Sequence, residues 1–354
     1  MDSFHSRLLA WYDQHARTLP WRISPQDGKQ GVVPDPYHVW LSEVMLQQTT
    51  VATVKAYFEK FLALWPTVDD LAAASSDDVM KAWAGLGYYS RARNLKKCAD
   101  LIAKDYGGQF PNTQSELLKL PGVGDYTSAA IAAIAFGKQA AVVDGNIERV
   151  TTRHSADPTP LPKAKDNCRQ FMAEMTPKDR PGDFVQAMMD LGATICTPKK
   201  PACAFCPVNA DCQAYHAGTM LDYPVKAPKK IKPIRVGAAF VIQRSDGAIW
   251  LIKRPETGLL GGMAAVPSTN WTASKDGETG ANALPFSDDW KQVGTIKHTF
   301  THFHLQLEVW RTSKQKMTGE GWWSSPAALA GEALPTVMKK VVTAVLPDAF
   351  KKGK

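Results

Sequence analysis

The sequence of 354 residues lacks any apolar run long enough to cross a membrane. No stretch of about 18 consecutive apolar residues occurs in it. Its first residues, MDSFHSRLLAWYDQHAR, carry charges where a secretory signal would be continuously apolar. We therefore expect a cytoplasmic protein that makes no contact with a membrane.

Cysteine is scarce, with six residues in the chain, and four of these lie within a single short segment. Because a cytoplasmic protein keeps its thiols reduced, six cysteines do not predict a disulfide framework. The spacing C-x6-C-x2-C-x5-C can instead bind zinc or an iron–sulfur cluster, and the spacing alone does not choose between them. The candidate ligands are Cys196, Cys203, Cys206 and Cys212. Cys98 and Cys168 lie at no ligand spacing and are expected to be buried and inert.

Acidic residues are outnumbered, with 34 against 42 lysines and arginines, which gives a net charge of +8. This balance is compatible with a polyanionic partner, although many soluble proteins are as basic. The hydrophobic fraction of 44% is that of an ordinary globular protein. The length allows two or three domains, each with its own core.

The apolar periodicity changes once along the chain. It is helical from residue 1 to about 220, and a segment rich in proline and lysine, 221–235, then predicts an extended linker. Beyond it, VGAAFVIQR and AIWLIKR predict two strands joined by a hairpin at SDG. In FHLQLEVW, every second residue from Phe303 to Val309 is apolar, which predicts a half-buried strand. We predict a helical region over 1–220 and an α+β domain over 236–354.

The stretch LPGVG, at 120–124, separates two helical patterns and precedes a helix of small residues. Gly122 and Gly124 suit a backbone conformation that side chains would block. Amide groups of such a turn, opening a helix, can converge on a phosphate of DNA. The alternative is a plain connection between two helices.

Two carboxylates stand in unusual surroundings. Asp144 follows an apolar run in AAVVDGN, where it could be functional or could simply cap the next helix. Glu43, in VWLSEVMLQQTT, shares a helix face with Leu46 and Gln47. A glutamate on so apolar a face is either a paired core acid or a catalytic acid of altered pKa.

Taken together, these motifs resemble the helix–hairpin–helix DNA glycosylase superfamily, which includes endonuclease III and the MutY-type adenine glycosylases. SEVMLQQT matches the MutY signature residue for residue, and the cysteine spacing is similar to that of the family's [4Fe–4S] loop. The resemblance implies an all-α glycosylase region, with its hairpin at about 116–137 and its iron–sulfur loop at 196–212. An α+β Nudix-like domain follows.

The resemblance also implies roles for three residues. Glu43 is the general acid that protonates adenine, and Asp144 stabilises the sugar cation that develops as the base leaves. Tyr126 stands where strand-cleaving relatives carry a lysine. Because a phenol cannot form a Schiff base, base removal without strand cleavage is expected.

Further residues are implied to contact DNA. Trp21 and Arg22 would lie near the adenine pocket, Gln186 at the adenine edge, and Tyr88 would wedge into the base stack with Gln48 as its helper. An insertion at 23–34 follows Arg22, where many relatives have a shorter link. The complete set of DNA-contacting residues is Trp21, Arg22, Leu46, Gln48, Thr49, Tyr88, Gly122, Gly124, Gln186, Phe300, Thr301 and His302.

The last three belong to the C-terminal domain, where WLIKRPETGLLGGMAAVPS resembles the Nudix-like domain of MutY enzymes. Nucleotide hydrolysis would need a glutamate-rich helix, and no REUXEE pattern occurs between 255 and 300. We therefore expect recognition of 8-oxoguanine without hydrolysis. The reading loop is Phe300, Thr301 and His302, with threonine where relatives usually have serine.

We therefore predict a monomeric, monofunctional adenine DNA glycosylase at the bacterial nucleoid. Its partner is double-stranded DNA with adenine opposite 8-oxoguanine or guanine, and its cofactor a [4Fe–4S] cluster. The rival enzyme is a thymine-mismatch glycosylase, since some relatives also replace the lysine. The non-enzymatic alternative is a lesion-binding protein without catalytic activity. The presence of both carboxylates argues against it.

Overall fold

The computed structural model describes residues 3–228 and 231–350. Met1, Asp2, two linker residues (Lys229 and Lys230) and the last four residues lie outside the described part. The chain forms two compact units. One extends to Ala73 and resumes from Asn94 to the linker, and the other combines Ala74–Arg93 with the chain beyond the linker. The boundaries predicted from the sequence, which place 74–93 in the helical region, stay a prediction.

Helices dominate the chain before the linker, as the periodicity predicts. Most begin at a serine, threonine or aspartate whose side chain accepts a hydrogen bond from the first turn. Two 3₁₀ turns, Cys203–Phe205 and Asn209–Asp211, lie between the last two of these helices, and a third, Met220–Asp222, follows the last helix. The helices are α1 (Phe4–His15), α2 (Pro25–Lys29), α3 (Pro36–Leu46), α4 (Val51–Leu64), α5 (Val68–Ala73), α6 (Ser76–Trp83), α7 (Ser90–Tyr106), α8 (Gln114–Leu117), α9 (Asp125–Ile134), α10 (Gly145–His154), α11 (Ala164–Met175), α12 (Pro181–Thr194) and α13 (Gln213–His216).

Helix α3 carries Glu43 into the interior of the first unit. Asp35 caps its N-terminus by accepting from the Tyr37 amide at 2.8 Å, and Pro36 occupies its first turn. Nearly every residue of α3 is buried. The helix ends at Leu46 because the backbone of Gln47 leaves the helical conformation, with ψ of 114°, and Gln48 then takes a left-handed one, with φ of 57°.

The predicted hairpin is formed by α8 and α9. Gly122 has a φ of 76°, and a Cβ there would lie 2.6 Å from the Cβ of Asn94. Glycine is therefore required at this position on two counts. The expectation was wrong for Gly124, whose φ of −104° suits any residue. Nothing lies within 4 Å of where its Cβ would be, so this glycine leaves open space at the start of α9.

The second unit is built around a mixed sheet in the strand order β3-β2-β1-β5-β4, with β6 also paired to β2. Strand β1 pairs antiparallel with β2 and parallel with β5, and β4 and β5 form an antiparallel hairpin. Beyond the linker, the described residues of this unit also form one α-helix, α14 (Thr336–Val345), and α6 belongs to the same unit. The strands are β1 (Ile234–Gln243), β2 (Ile249–Lys253), β3 (Ala264–Ala265), β4 (Lys291–Thr299), β5 (His304–Ser313) and β6 (Trp322–Ser324).

The alternation read in FHLQLEVW is confirmed. Phe303, Leu305, Leu307 and Val309 are buried in one core cluster with the apolar face of α14, whereas His304 is exposed. The predicted architecture, a helical region followed by an α+β domain, is confirmed as well. Between β3 and β4, the described chain forms only a 3₁₀ turn, Ala281–Ala283, and no longer helix.

Among the helices of the described residues, none is both long enough and apolar enough to span a bilayer.

Candidate active site

A cavity of about 1010 Å³ opens in the first unit. Its walls come from α3, the hairpin and α9, the start of α10, and α12, together with the chain between α1 and α2. Most residues singled out in the helical region line it. They are Trp21, Arg22, Glu43, Leu46, Gln48, Thr49, Gly122, Gly124, Tyr126, Asp144 and Gln186.

Glu43 and Tyr126 form a short hydrogen bond across this cavity. The phenol donates to Oε2 of Glu43 at 2.6 Å, and the Glu43 side chain is almost wholly buried, with 5% exposure. Burial is the main cause that raises the pKa of Glu43 to about 7. The phenol lowers this pKa, the charge of Asp144 raises it, and Arg22 lowers it. Glu43 is therefore suited to carry a proton near neutral pH and to give it up.

Asp144 lies at the N-terminus of α10 and is surrounded by donors. Its Oδ1 accepts from the amides of Asn146 at 3.0 Å and Ile147 at 2.7 Å, and its Oδ2 from the Asn146 side chain at 3.1 Å. Burial raises the pKa of Asp144, while these hydrogen bonds oppose the rise. The helix cap, which was one alternative for this residue, is present. It does not exclude a functional role, because the carboxylate also lines the cavity.

Tyr126 keeps its proton. Burial and the charges of Glu43 and Asp144 raise the pKa of its phenol well above the ordinary value. The residue therefore acts as a hydrogen-bond donor in this site, and it offers no amine.

Arg22 lines the cavity in spite of the insertion that follows it, part of which forms α2. Its Nη1 donates to both carboxylate oxygens of Asp190, at 2.8 and 2.9 Å. Trp21 is buried against Phe58, with ring centroids 5.4 Å apart. Gln186, on α12, is buried in the opposite wall.

Sequence reasoning missed several residues here. Asn146 and Arg149 support Asp144, since Arg149 donates to the Asn146 side chain at 2.9 Å and to the Cys196 carbonyl at 2.7 Å. Asp190 and Arg17 were also missed. The available signal was Asp190 itself, a charged residue within the apolar run AMMDLGA of a helix.

Four of the expected DNA contacts belong to the second unit. Tyr88 is half exposed, adopts a left-handed backbone with φ of 48°, and has the Arg91 guanidinium 5.7 Å from its ring centre. Phe300 stacks on Phe303, with centroids 4.7 Å apart, at the turn between β4 and β5. Thr301 and His302 form the exposed tip of this turn.

The four clustered cysteines are free thiols and partly buried. Burial first and the neighbouring Cys196 next raise the pKa of Cys203, which places these two thiols close together. Nη1 of Arg153 lies 3.4 Å from the Cys196 sulfur. Within the described ranges, no three or more histidine, cysteine, aspartate or glutamate side chains form a group that could hold a metal ion.

Comparison with known families accounts for both parts of the chain. Residues 41–177 match the HhH-GPD superfamily base excision DNA repair proteins, and residues 238–344 match the NUDIX domain. The chain shares its fold with a thermostable thymine-DNA glycosylase at 32% identity and a TM-score of 0.53, over 60% of this chain and 95% of that one. An endonuclease III–DNA complex, 23% identical with a TM-score of 0.50, covers 60% of this chain and 94% of that one and supports the fold alone. Fold and site thus define a helix–hairpin–helix DNA glycosylase with a Nudix-like domain.

Relatives that align with most or nearly all of the chain identify the family within this class of DNA glycosylases. The adenine DNA glycosylase of Homo sapiens is 35% identical over 96% of this chain and 73% of its own length. That of Arabidopsis thaliana is 38% identical over 85% of this chain and 56% of its own length. The chain belongs to the adenine DNA glycosylase family.

Proposed function

We propose that the protein hydrolyses the N-glycosidic bond of adenine mispaired with 8-oxoguanine or guanine in duplex DNA. The observation that carries this proposal is the cavity in which a buried Glu43, hydrogen-bonded to Tyr126, lies with a capped Asp144. Two carboxyl groups with different surroundings are what acid-assisted glycoside cleavage requires.

Glu43 serves as the general acid. Adenine is a poor leaving group until a ring nitrogen gains a proton, and a carboxyl with a pKa of about 7 holds that proton at neutral pH. As the proton moves to the base, the Tyr126 hydroxyl stabilises the carboxylate left behind. Its 2.6 Å bond to Oε2 becomes charge-assisted and stronger.

Asp144 stabilises the sugar cation. Its three hydrogen bonds and the positive end of α10 favour its ionised form, so it offers a fixed negative charge as the glycosidic bond breaks. It also accepts a proton from the water that attacks the cation. The products are free adenine and an abasic site.

Strand cleavage does not follow, because Tyr126 replaces the amine that would form a Schiff base. Lys138 would be the first candidate from sequence proximity alone, and it is not among the lining residues of the cavity. Lys165 does line the cavity, but it is paired to Glu148 at 2.9 Å.

The C-terminal domain reads the lesion. Phe300 is held by stacking on Phe303, which supports its role as the anchor of the loop. Thr301 and His302 are exposed at the tip and free to meet the C8 oxygen and N7 proton that distinguish 8-oxoguanine from guanine. Hydrogen bonds to a base edge are worth roughly 1–3 kcal/mol of discrimination.

By their chemistry and spacing, the four cysteines at 196–212 are the donor set that a [4Fe–4S] cluster requires. They would supply its four ligands, and Arg153 beside Cys196 would balance the negative charge of the thiolates. The cluster would hold this loop in a fixed shape. We also propose that the protein acts as a monomer on DNA at the bacterial nucleoid.

Single-turnover release of free base tests the proposal. Duplexes with adenine opposite 8-oxoguanine, adenine opposite guanine, and thymine opposite guanine separate the adenine enzyme from the thymine-mismatch alternative. Asp144→Asn should slow adenine release more than a hundredfold and leave binding of mispaired DNA largely intact. The matched control is Asp105→Asn, which changes an exposed acid on α7. Release of thymine and not adenine, or binding with no release, would overturn the proposal.

The thymine alternative retains one supporting observation, the shared fold with a thymine-DNA glycosylase. That likeness covers 60% of this chain, whereas the human adenine enzyme matches 96% of it. The part of the chain that only the human adenine enzyme matches includes the C-terminal domain, which supports the assignment as an adenine glycosylase.

A further inference from the structure

Behind the wall of the active-site cavity lies an ion cluster that the proposed mechanism does not use. Asp190, on α12, is fully buried and does not line the cavity. Its carboxylate accepts from the Arg17 amide at 2.9 Å and Nε at 2.6 Å, and twice from Nη1 of Arg22. Three nitrogen atoms of two arginines thus make four hydrogen bonds to one carboxylate, and both arginines line the cavity.

The positive charge of an arginine near a general acid would favour the loss of its proton. A cation near a carboxyl favours its ionised form, and Arg22 already lies close enough to lower the pKa of Glu43. Without Asp190, Arg22 would lose its carboxylate partner, and Glu43 is a buried carboxyl group that the charge of Arg22 already reaches. A bidentate guanidinium would then compete with the Tyr126 hydroxyl for the same oxygens.

We propose that Asp190 is a positioning residue for base release, which holds Arg22, together with Arg17, against α12 so that Arg22 does not pair with Glu43. Asp190 also compensates part of their charge. This inference rests on the proposed function, because it takes Glu43 as the proton donor.

The remaining charged and titratable groups around the cluster do not replace it. Tyr12, on α1, is buried beside Arg22 and Asp190, and burial raises the pKa of its phenol, so it stays neutral. Asp183, seven residues before Asp190 on α12, is paired with Arg180 at 2.8 Å. On the side of Glu43, the facing groups are Tyr126 and Asp144.

The test is the pH profile of single-turnover adenine release. The rate depends on protonated Glu43 and therefore falls as the pH rises through its pKa. In Asp190→Asn we expect this fall to move about one pH unit lower, since an opposite charge nearby lowers a carboxyl pKa by roughly 1–3 units. The loss should be about tenfold at pH 8 and small below pH 6. Asp183→Asn, on the same helix, is the matched control and should keep the wild-type profile.

A purely structural role for Asp190 would reduce the rate equally at every pH. In the double variant Asp190→Asn/Arg22→Met, the pH at which the release rate falls should return toward the wild-type value, because the unpaired Arg22 guanidinium has been removed. If Asp190→Asn does not fold, Arg22→Met alone should move the fall to higher pH. A uniform loss, an unchanged profile, or no response to Arg22→Met would each overturn the proposal.

A second readout does not depend on adenine being the substrate. The carbonyl stretch of the protonated Glu43 carboxyl, identified by its absence from Glu43→Gln, can be titrated by infrared spectroscopy. In Asp190→Asn this titration should also shift about one unit lower. Wild-type protein that titrates as expected but releases no adenine would refute the proposed function alone, and an unshifted titration in Asp190→Asn would refute the role of Asp190 alone.

Discussion

The buried acid should cost the protein stability, and Glu43→Gln should recover it. A carboxyl that ionises at 4.5 in the unfolded chain and at about 7 in the folded protein binds more protons when folded. Folding is therefore opposed by this group once the pH exceeds 4.5, and the full cost is reached above pH 7. At about 1.4 kcal/mol per pKa unit, the cost is about 3 kcal/mol.

Glutamine removes this ionisation and keeps the size of the side chain. Its carbonyl oxygen can still accept from the Tyr126 hydroxyl, but its amide needs a new acceptor, which costs about 1 kcal/mol at any pH. The variant should therefore be slightly less stable than the wild type near pH 4.5. At pH 8.5 it should be more stable by about 2 kcal/mol, while adenine release is lost.

The assay is denaturant unfolding of both proteins between pH 4.5 and 8.5, followed by a probe of the helical unit. The measured quantity is the difference in unfolding free energy between variant and wild type at each pH. Glu59→Gln, which changes an exposed glutamate on α4, is the matched control and should give a difference that does not vary with pH. A difference between Glu43→Gln and wild type that stays constant, or that favours the wild type at high pH, would refute the buried, protonated acid.

Three further predictions concern the cofactor, the products and the lesion. Purified protein should contain about four irons and absorb in the visible range, and Cys203→Ser should fold and bind DNA poorly; a colourless, fully active zinc protein would contradict this. Borohydride should trap no efficient covalent complex with DNA during turnover, whereas Tyr126→Lys should begin to form one; efficient trapping by the wild type would implicate another lysine. Replacing Thr301 and His302 together by alanine should lower the preference for 8-oxoguanine over guanine roughly tenfold or more, with little change in single-turnover rate at saturation. Unchanged discrimination would move lesion reading away from this loop.

The sequence was most informative where a local pattern fixes a local structure. The alternation from Phe303 to Val309 predicts which side chains enter the core, because successive residues of a strand face opposite sides. The same holds for Asp144, whose place before a helix predicts the cap that it forms. Glu43 was found from a motif, and its burial explains why the pattern around it is apolar.

Long-range pairing could not be predicted in this way. Arg22 and Asp190 are 168 residues apart, and neither carries a local mark of the other. The grouping of 74–93 with the C-terminal chain has the same cause, since it depends on contacts such as Lys253 with Asp77 at 3.2 Å. Gly124 shows the reverse error. A glycine suggests a special backbone, but the extended conformation and the open space around Gly124 would both accept a side chain.

The two carboxyl groups of the cavity differ in their donors more than in their burial. Glu43 receives one side-chain hydrogen bond, from a phenol that can serve either the neutral or the ionised carboxyl. Asp144 receives two backbone amides at a helix N-terminus, which favour only its anion. Burial raises both pKa values, so the donors decide that Glu43 holds the proton and Asp144 the charge. The negative charge of Asp144 in turn raises the pKa of Glu43, so the anion helps to keep the acid in the protonated state that the proposed base release requires.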